Sequence, residues 1–504
     1  MARLLRRTGW IFALIGLLFA AAPHDAAAQI GPLPTPTPVP VGTSSTALTP
    51  LGIYAIAAPV CAAVSPMIGT LILQREMTVN EVWRSTLGCF LGPVGWVISP
   101  LLFPDAVPAA PAAHAVRSPQ RGNNNNSRFR APPRLETRFV PNEVLIVTRT
   151  TLRPAARDAL FRRLQLTVLE TQNFGLTGHA VYRLRIDNNA TVAQVIRALS
   201  RGGMVASAQP NYLYTLAQAV AAPADAAPTP VPAVQYVIDK LKLRDLHKIT
   251  GGDDVVVAVI DSAIDRAHPD LAGAVTETFD ALGGSASPHA HGTGMAGAIA
   301  SHARLTGIAP RARIVAVRAF DDGASAAGTT FAILKGIDWA HQRSAKIVNM
   351  SFAGPADPLL AEMLTRANAA GMVLVAAVGN AGPRSPPLYP AAYREVIGVT
   401  AVDADDTLFA RANRGPQVRL AAPGVDILVP SPGSAYQITT GTSVAAAYVS
   451  GAAALILARR PSATPAEVRR LLTSTADRKA GARAGDTGAG VLDPLQAVTA
   501  ADRR

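Results

Sequence analysis

The spacing of apolar residues between positions 138 and 216 predicts a small domain of alternating strands and helices. Apolar runs and apolar–polar alternation predict four strands, at 143–147, 166–170, 179–186 and 205–213. Apolar residues at helical spacing predict two helices, at 154–164 and 191–199. The order strand–helix–strand–strand–helix–strand is the split βαβ pattern, so this region is predicted to be a ferredoxin-like α+β domain.

From about residue 235 to the end, continuous apolar runs alternate with helical stretches. The apolar runs predict strands at 255–260, 314–319, 346–351, 373–378 and 396–402. The helical stretches lie at 292–301, 330–342, 358–370 and 465–473. Strands of this kind between helices are typical of an α/β fold, in which a mainly parallel sheet is covered by helices on both faces.

The first 28 residues have the pattern of an export signal. A basic start with Arg3, Arg6 and Arg7 precedes an apolar stretch at 10–22, and small residues at its end offer a cleavage site. The sequence therefore predicts a signal peptide at 1–28 and an exported, periplasmic or extracellular protein. A short signal anchor is the alternative interpretation.

Between the signal and the small domain the sequence changes character twice. Residues 29–50 form a Pro/Thr-rich spacer, and 51–104 form an apolar module. The stretch 51–73 has no charged residue and is long enough to span a bilayer, so membrane association is predicted. Prolines inside the module argue against two regular helices. In a straight hairpin Cys61 and Cys89 would differ in depth by about 15 Å, so either they are not bonded or the module is bent.

Two further segments have linker composition. Residues 105–137, rich in Pro, Asn and Arg, are predicted to be a disordered linker, and 217–234 is an Ala/Pro linker before a larger domain at 235–504. The 504 residues allow two or three domains, and 49% hydrophobic with 5% aromatic residues suits a core of small side chains. The net charge of +13 comes from scattered Arg residues without a Lys/Arg run, which argues against nucleic-acid binding.

Three polar residues follow or open predicted elements of the larger domain. Asp261 follows the strand at 255–260, and an acid at the carboxyl end of a parallel strand is where open α/β sheets place function. His291 opens a small-residue helix, and Asn380 follows the strand at 373–378. The alternatives are a turn-capping Asp, a helix-capping His and an Asn in a left-handed turn.

Ser443 lies in a small-residue turn directly before an apolar run at 444–457. Free backbone N–H groups and the positive end of the dipole at a helix N-terminus favour a developing oxyanion there. A serine nucleophile needs an imidazole base, the imidazole needs an orienting carboxylate, and an Asn amide can donate to the oxyanion. The alternative for Ser443 is an N-cap that opens a buried helix.

The region from Gln235 to the end resembles a subtilisin-like serine protease (subtilase). The chain order Asp261, His291, Ser443 is that of subtilisin. The matching blocks are 259–262 (VIDS), 291–293 (HGT), 349–351 (NMS), 377–380 (AVGN), 389–391 (YPA), 422–424 (APG), 441–443 (GTS) and 490–493 (GVLD). The resemblance covers about half of the chain. Departures from the family pattern are Ala263 for Gly, Val444 for Met, and Ala447-Tyr448 for Pro-His.

The resemblance implies a role for each matching residue. Asp261 would orient the imidazole, His291 would act as the base, Ser443 as the nucleophile and Asn380 as the oxyanion donor. Two strand segments would bind substrate, the first by pairing with its extended backbone and the second by lining the first specificity pocket. Their residues are Ser351, Phe352, Ala353 and Gly354, and then Ala376, Ala377, Val378 and Gly379. The expected partner is a protein or peptide substrate.

The small domain at 138–216 is similar to the propeptide of this family, an intramolecular chaperone and inhibitor. It ends in Gln-Pro-Asn-Tyr at 209–212, and self-cleavage is expected between about 216 and 234. A free-standing binding domain is the alternative. The loop before 307–310 is too short for the Asn-rich calcium loop of bacterial subtilisins, so no metal or cofactor is expected.

Two other functions are compatible with parts of the sequence. One is a catalytically inactive subtilase scaffold that acts as a membrane-tethered binding module. All four residues that would react are present, which favours an active enzyme over this alternative. The other is a nucleotide-binding α/β domain, and the absence of a Gly-rich phosphate loop after the strand at 255–260 argues against it.

Overall fold

A computed structural model describes five segments, all within one compact unit, Pro119–Arg504. The described segments are 129–149, 152–217, 235–323, 326–478 and 486–503. Several predictions fall outside these residues. They are the signal peptide (1–28), the spacer (29–50), the apolar module (51–104), the linker at 105–137 up to residue 128, and the linker at 217–234 beyond Ala217.

The first described elements form an α+β module, which we call the small module (139–217). Its elements are β1 (Phe139–Thr148), α1 (Pro154–Arg163), β2 (Leu166–Phe174), β3 (His179–Ile186), α2 (Val192–Gly202) and β4 (Val205–Leu216). The strands pair antiparallel in the order β4-β1-β3-β2. The predicted strand–helix–strand–strand–helix–strand order is confirmed, and β1, β2 and β4 are longer than predicted.

Local sequence explains where α2 begins and ends. The Thr191 side chain accepts a hydrogen bond from the Gln194 backbone N–H, and the Gln194 side chain accepts one from the Thr191 N–H, which makes a capping box. The helix ends at Gly203, whose φ of 61° is left-handed. Its buried face packs on the sheet and consists of Val192, Val195, Ile196 and Leu199.

The remaining described residues form the large module (235–503). Its helices are α3 (Val237–Lys240), α4 (Leu243–Ile249), α5 (Ala290–Ala300), α6 (Thr330–Gln342), α7 (Pro358–Ala369), α8 (Thr442–Arg459), α9 (Pro465–Ser474) and α10 (Pro494–Asp502). Its strands are β5 (Val256–Asp261), β6 (Val275–Asp280), β7 (Arg313–Arg318), β8 (Ala327–Thr329), β9 (Ile347–Met350), β10 (Phe352–Ala353), β11 (Val373–Ala377), β12 (Val396–Val402), β13 (Leu420–Pro423), β14 (Ile427–Ser431) and β15 (Ala435–Thr439).

Seven strands of the large module form one parallel sheet in the order β13-β12-β11-β9-β5-β7-β6. Separate buried clusters pack on its two faces, because successive side chains of a strand point to opposite faces. The predicted parallel α/β fold is therefore confirmed. The short strands β6, β8, β10 and β13–β15 are not predicted from the sequence.

Helix α8 runs through the core of the large module. Every residue from Thr442 to Leu457 is buried, and the helix packs against α5 and the strands β9, β11, β12 and β13. A Cβ on Gly451 would lie 2.0 Å from Ile308 Cγ2, so only glycine fits there. Within the described segments α8 alone has the length and hydropathy to cross a membrane, and 89% of its apolar window is buried in the protein. It is a core helix.

The two modules share a second sheet. The last residues of β4 extend beyond the strands of the small module. They pair antiparallel with β8 on one side and with β10 on the other. In this pairing Thr215 lies opposite Ala353, and Leu216 lies opposite Phe352. The last residues of the small module are thereby inserted between two strands of the large module.

Residues 129–137 differ from their prediction as part of a disordered linker. Phe129 forms a parallel bridge with Ala208, and the Arg130 N–H donates to the Ala208 carbonyl at 3.1 Å. The Phe129 ring packs on the hydrophobic cluster of the small module. The Phe129 ring removes apolar surface of this cluster from water, and this burial accounts for the attachment of the segment.

Candidate active site

Asp261 is the last residue of β5, at the carboxyl end of the parallel sheet. Its side chain is fully buried. One carboxylate oxygen, Oδ1, accepts hydrogen bonds from His291 Nδ1 at 2.7 Å, from the Ser262 N–H at 2.7 Å and from Ser262 Oγ at 3.1 Å. An ionised carboxylate only accepts, so Nδ1 of His291 carries the proton in this pair.

His291 is the second residue of α5 and is 7% exposed. With Nδ1 held by Asp261, the other ring nitrogen, Nε2, carries the lone pair. Nε2 is buried and makes no hydrogen bond to any described residue. The imidazole is therefore oriented by the carboxylate and has a free basic nitrogen.

Ser443 is the second residue of α8, after the N-cap Gly441. Its hydroxyl is 2.9 Å from the carbonyl oxygen of Ala217, the last described residue of the small module, and donates a hydrogen bond to it. A hydrogen bond from Ser443 to His291 is not formed in this arrangement. The structure thus brings Asp261 and His291 into contact, and it directs Ser443 to the chain of the small module.

Asn380 follows β11 and lies beside Ser443. Its Oδ1 accepts from the Thr442 N–H at 3.1 Å and from Thr442 Oγ1 at 2.9 Å. Because the oxygen is occupied in this way, the NH₂ group is the part of the amide that is available as a donor. It donates to the Ala217 carbonyl oxygen at 2.8 Å. One carbonyl therefore receives hydrogen bonds from both Ser443 and Asn380.

The segment 214–217 lies along the first predicted substrate-binding strand. The Ala217 N–H donates to the Ser351 carbonyl at 3.0 Å, and Leu216 and Thr215 pair with Phe352 and Ala353. A Cβ on Gly354 would lie 2.4 Å from the ring of Tyr214. All four residues 351–354 thus border an extended backbone that occupies the cleft.

The second predicted substrate-binding segment, 376–379, lies at the end of β11 and leads into Asn380. Ala376, Ala377 and Val378 are buried. Gly379 has a left-handed φ of 101°, and its N–H donates to Thr442 Oγ1 at 3.2 Å. These residues form the wall from which Asn380 projects. Hydrogen bonds between them and 214–217 are absent from the described residues.

Three residues at this site are missed by the sequence analysis, because no local pattern marks them. Ala217 was predicted as the first linker residue, yet it is held by Ser351, Ser443 and Asn380. Tyr214 is fully buried, and its hydroxyl donates to the Pro355 carbonyl at 3.2 Å. The third residue, Asp357, lies at the start of α7.

Asp357 is a fully buried carboxyl group between the two modules. It accepts hydrogen bonds from Gln209 Nε2 at 2.7 Å, from Thr330 Oγ1 at 2.6 Å and from the Leu360 N–H at 3.1 Å. The Tyr214 hydroxyl lies 3.4 Å from it. Burial raises the pKa of the Asp357 carboxyl above its ordinary value, although these hydrogen bonds act in the opposite direction.

The short loop after α5 is organised by another carboxylate. Asp270 Oδ1 accepts from the N–H groups of Ala303, Arg304 and Leu305 at 2.7–3.0 Å, and Oδ2 accepts from the Tyr436 hydroxyl at 2.7 Å. No group of three or more His, Cys, Asp or Glu side chains suited to a metal ion occurs in the part of the chain that the structure describes.

Similarity to known proteins covers the large module. A profile of the Subtilase family matches residues 252–490. Over 258 aligned residues the chain is 38% identical to subtilisin from Bacillus pumilus (48% of this chain, 92% of that protein) and 39% identical to subtilisin E from Bacillus subtilis strain 168 (48% and 66%).

A solved structure is similar over most of the chain. The crystal structure of fervidolysin from Fervidobacterium pennivorans, described as a keratinolytic enzyme related to subtilisin, aligns with a TM-score of 0.60 and 26% identity. The alignment covers 72% of this chain and 61% of that one. The chain thus spans about two thirds of the length of subtilisin E and somewhat less of fervidolysin.

Proposed function

The chain belongs to the subtilase family, and on that premise we propose that it is an exported serine endopeptidase made as a self-inhibited zymogen. The observation that carries the proposal is the position of the Ala217 carbonyl, which accepts hydrogen bonds from both Ser443 and Asn380. A scissile carbonyl needs a nucleophile on one side and oxyanion donors on the other. The proposed nucleophile, Ser443, and the proposed oxyanion donor, Asn380, both contact the Ala217 carbonyl.

In the proposed reaction Ser443 Oγ attacks the scissile carbonyl carbon while His291 Nε2 takes its proton. The 2.7 Å hydrogen bond from Nδ1 to Asp261 supports this assignment, because it fixes the tautomer and stabilises the imidazolium that forms. The Ser443 hydroxyl must first turn from the Ala217 carbonyl to Nε2. The attack yields a tetrahedral intermediate, which collapses to an acyl-enzyme as the C–N bond breaks and the leaving amine takes the proton from His291 Nε2. Water then hydrolyses the ester, with His291 as the base, and releases the new carboxyl end and Ser443.

Asn380 is proposed to stabilise the oxyanion of that intermediate. Its amide already donates to the carbonyl oxygen that would become negative, and the hydrogen bond strengthens as charge develops. The N-terminus of α8 lies beside the same oxygen, and its dipole has the favourable sign. Neither contribution requires reorganisation during the reaction.

The first substrate is proposed to be the chain itself, with the Ala217–Gln218 bond as the scissile bond. The segment 214–217 pairs with 351–354 as an extended substrate would, and Gln218 is the next residue in the sequence. After cleavage the small module would stay in the cleft as an inhibitor, because its β4 remains paired with β8 and β10. This role as a propeptide makes the precursor a zymogen.

The peptidase proposal is tested by labelling with a fluorophosphonate, which reacts with an activated serine hydroxyl. We expect the processed wild-type protein and Ser474→Ala to be labelled, since Ser474 lies at the end of α9 and bonds only to the Leu471 carbonyl. Ser443→Ala should not be labelled. A correctly folded, processed wild-type protein that resists the probe would contradict the proposal and favour the inactive scaffold.

The location of the protein is a separate part of the proposal. A signal at 1–28 would export the chain, and the apolar module at 51–104 would associate it with a membrane. Fractionation of cells with and without carbonate or detergent tests this part. Release of the precursor by carbonate alone would contradict membrane insertion, and retention of the precursor in the cytoplasm would contradict export.

A further inference from the structure

A second histidine, His289, is linked to the Asp261–His291 pair. It is the N-cap of α5, half-buried, and its Nδ1 lies 2.9 Å from Ser262 Oγ. The same Ser262 Oγ lies 3.1 Å from Asp261 Oδ1, the oxygen that accepts from His291. Three contacts of hydrogen-bond length therefore connect His289 to His291 through Ser262 and Asp261.

The backbone fixes where the protons lie in this chain. The His291 N–H donates to Nδ1 of His289 at 3.3 Å, so Nδ1 carries a lone pair and the neutral ring has its proton on Nε2. Ser262 Oγ accepts from the Gly292 N–H at 3.1 Å, which leaves its single proton for donation. Two acceptors compete for that proton, namely Asp261 Oδ1 and His289 Nδ1.

We propose that His289 is a positioning residue whose charge controls the basicity of His291 through Ser262 and Asp261. The proposal rests on the proposed peptidase function. When His289 gains a proton, Nδ1 becomes a donor and can no longer accept from the His291 N–H. It donates to Ser262 Oγ instead, and the Ser262 hydroxyl must then donate to Asp261. That hydrogen bond withdraws negative charge from the carboxylate that stabilises His291.

The charged groups that face His289 come from three elements. Asp261 ends β5 and His291 lies on α5, while Asp321 and Asp322 follow β7. Burial lowers the pKa of His289 below its ordinary value of 6.5, and the nearby His291 acts in the same direction. The carboxylates oppose this shift. His289 is therefore neutral at pH 7 and gains its proton only in acid.

The sign of the effect on activity follows from these charges. A proton on His289 adds a positive charge near the imidazolium that must form on His291 during catalysis, so the protonated form is inactive. Both imidazoles must then be neutral in the active enzyme. Towards acid, kcat/KM should fall by about 100-fold per pH unit where both are protonated, and by about 10-fold where a single base controls the reaction.

The first test compares kcat/KM for a peptide substrate from pH 4 to pH 8 in three processed enzymes. The wild type should reach the steeper limiting slope. His289→Asn keeps a capping oxygen for the His291 N–H and has no titrating group, so it should show the shallower slope. His247→Asn is the matched control, because His247 is also half-buried with a pKa lowered by burial, and it bonds to the Ile308 carbonyl. A steep slope that persists in His289→Asn, or one that only His247→Asn removes, would overturn the proposal.

The second test does not need peptidase activity. In the full chain carrying Ser443→Ala, with ¹⁵N-labelled histidine, NMR titration should give a pKa for His289 below 6.5. Adding His291→Ala should raise that pKa, because a repulsive neighbour is removed. An unchanged pKa would overturn the linkage even if the enzyme is active. A raised pKa in a chain that proves inactive would preserve the linkage and reject only the proposed function.

Discussion

The hydrogen bonds of Asn380 determine which way its side-chain amide faces. Its two amide atoms look alike in shape, but the Thr442 N–H and hydroxyl both donate to one of them, which identifies that atom as the oxygen. The NH₂ group must therefore be the donor to Ala217. Thr442, the residue before the proposed nucleophile on α8, thus sets the direction of the proposed oxyanion donor.

Replacement of Asn380 by Ala should lower kcat by about 10²–10³-fold, because one donor to the developing oxyanion is lost. The fold should be retained with a lower thermal midpoint, because the buried Thr442 N–H and hydroxyl lose their acceptor. The matched control is Asn368→Ala. Asn368 lies in the last turn of α7, and its side-chain amide donates to the Met372 carbonyl. Full activity in Asn380→Ala, or an equal loss in Asn368→Ala, would remove Asn380 from the mechanism.

The contact between Gly354 and Tyr214 predicts which peptide side chain the cleft prefers four residues before the scissile bond. The Tyr214 ring lies against the Gly354 backbone, and a Cβ there would come within 2.4 Å of that rigid ring. Gly354→Ala should therefore raise KM for a peptide with the sequence Tyr-Thr-Leu-Ala before the scissile bond, and much less for Ala-Thr-Leu-Ala. Gly323→Ala, in the large module, is the control, because its Cβ would meet only the Asp321 carboxyl group, at 3.2 Å from Oδ1. Equal effects of Gly354→Ala on both peptides would contradict this contact.

At the scale of elements, β4 shows where local pattern is insufficient. The sequence predicts a strand ending at residue 213, but β4 continues to Leu216. The additional residues are held by backbone hydrogen bonds to β8 and β10 of the large module, and such bonds do not depend on side-chain type. The strand β10 has only two residues, too few to show a period.

The helix α6, by contrast, is predicted to the residue, because Thr329 caps its start and its apolar spacing continues to the end.

Asp357, at the start of α7, predicts how the affinity of the small module for the large module depends on pH. Burial raises the pKa of Asp357 while the small module is docked, so the complex holds a proton more tightly than an Asp357 exposed by release of that module. Affinity should therefore increase as pH falls through the raised pKa.

We therefore expect the cleaved propeptide to dissociate more slowly at pH 5 than at pH 8. The rate can be measured by the recovery of activity after dilution. Asp357→Asn removes this titrating group and should weaken the pH dependence. Faster dissociation in acid, or the same pH dependence in Asp357→Asn, would contradict the role of the buried carboxylate.

At the scale of the whole molecule, the sequence predicts both folds and the residues that meet at the carboxyl edge of the sheet. Asp261 and Asn380 follow long buried strands, and parallel strands bring their ends to one edge. The sequence does not predict that Ala217 occupies the cleft, because the Ala/Pro composition around it is that of a linker. Nor does it single out His289, whose link to Asp261 depends on folded distances.

The central claim is that Ser443 cleaves its own chain after Ala217. The most direct measurement is the mass of the propeptide fragment released by the wild type, compared with the full chain carrying Ser443→Ala. We predict a wild-type fragment that ends at Ala217, and no such fragment from Ser443→Ala. A fragment with the same end from both proteins, or a wild-type fragment that ends elsewhere, would contradict the account.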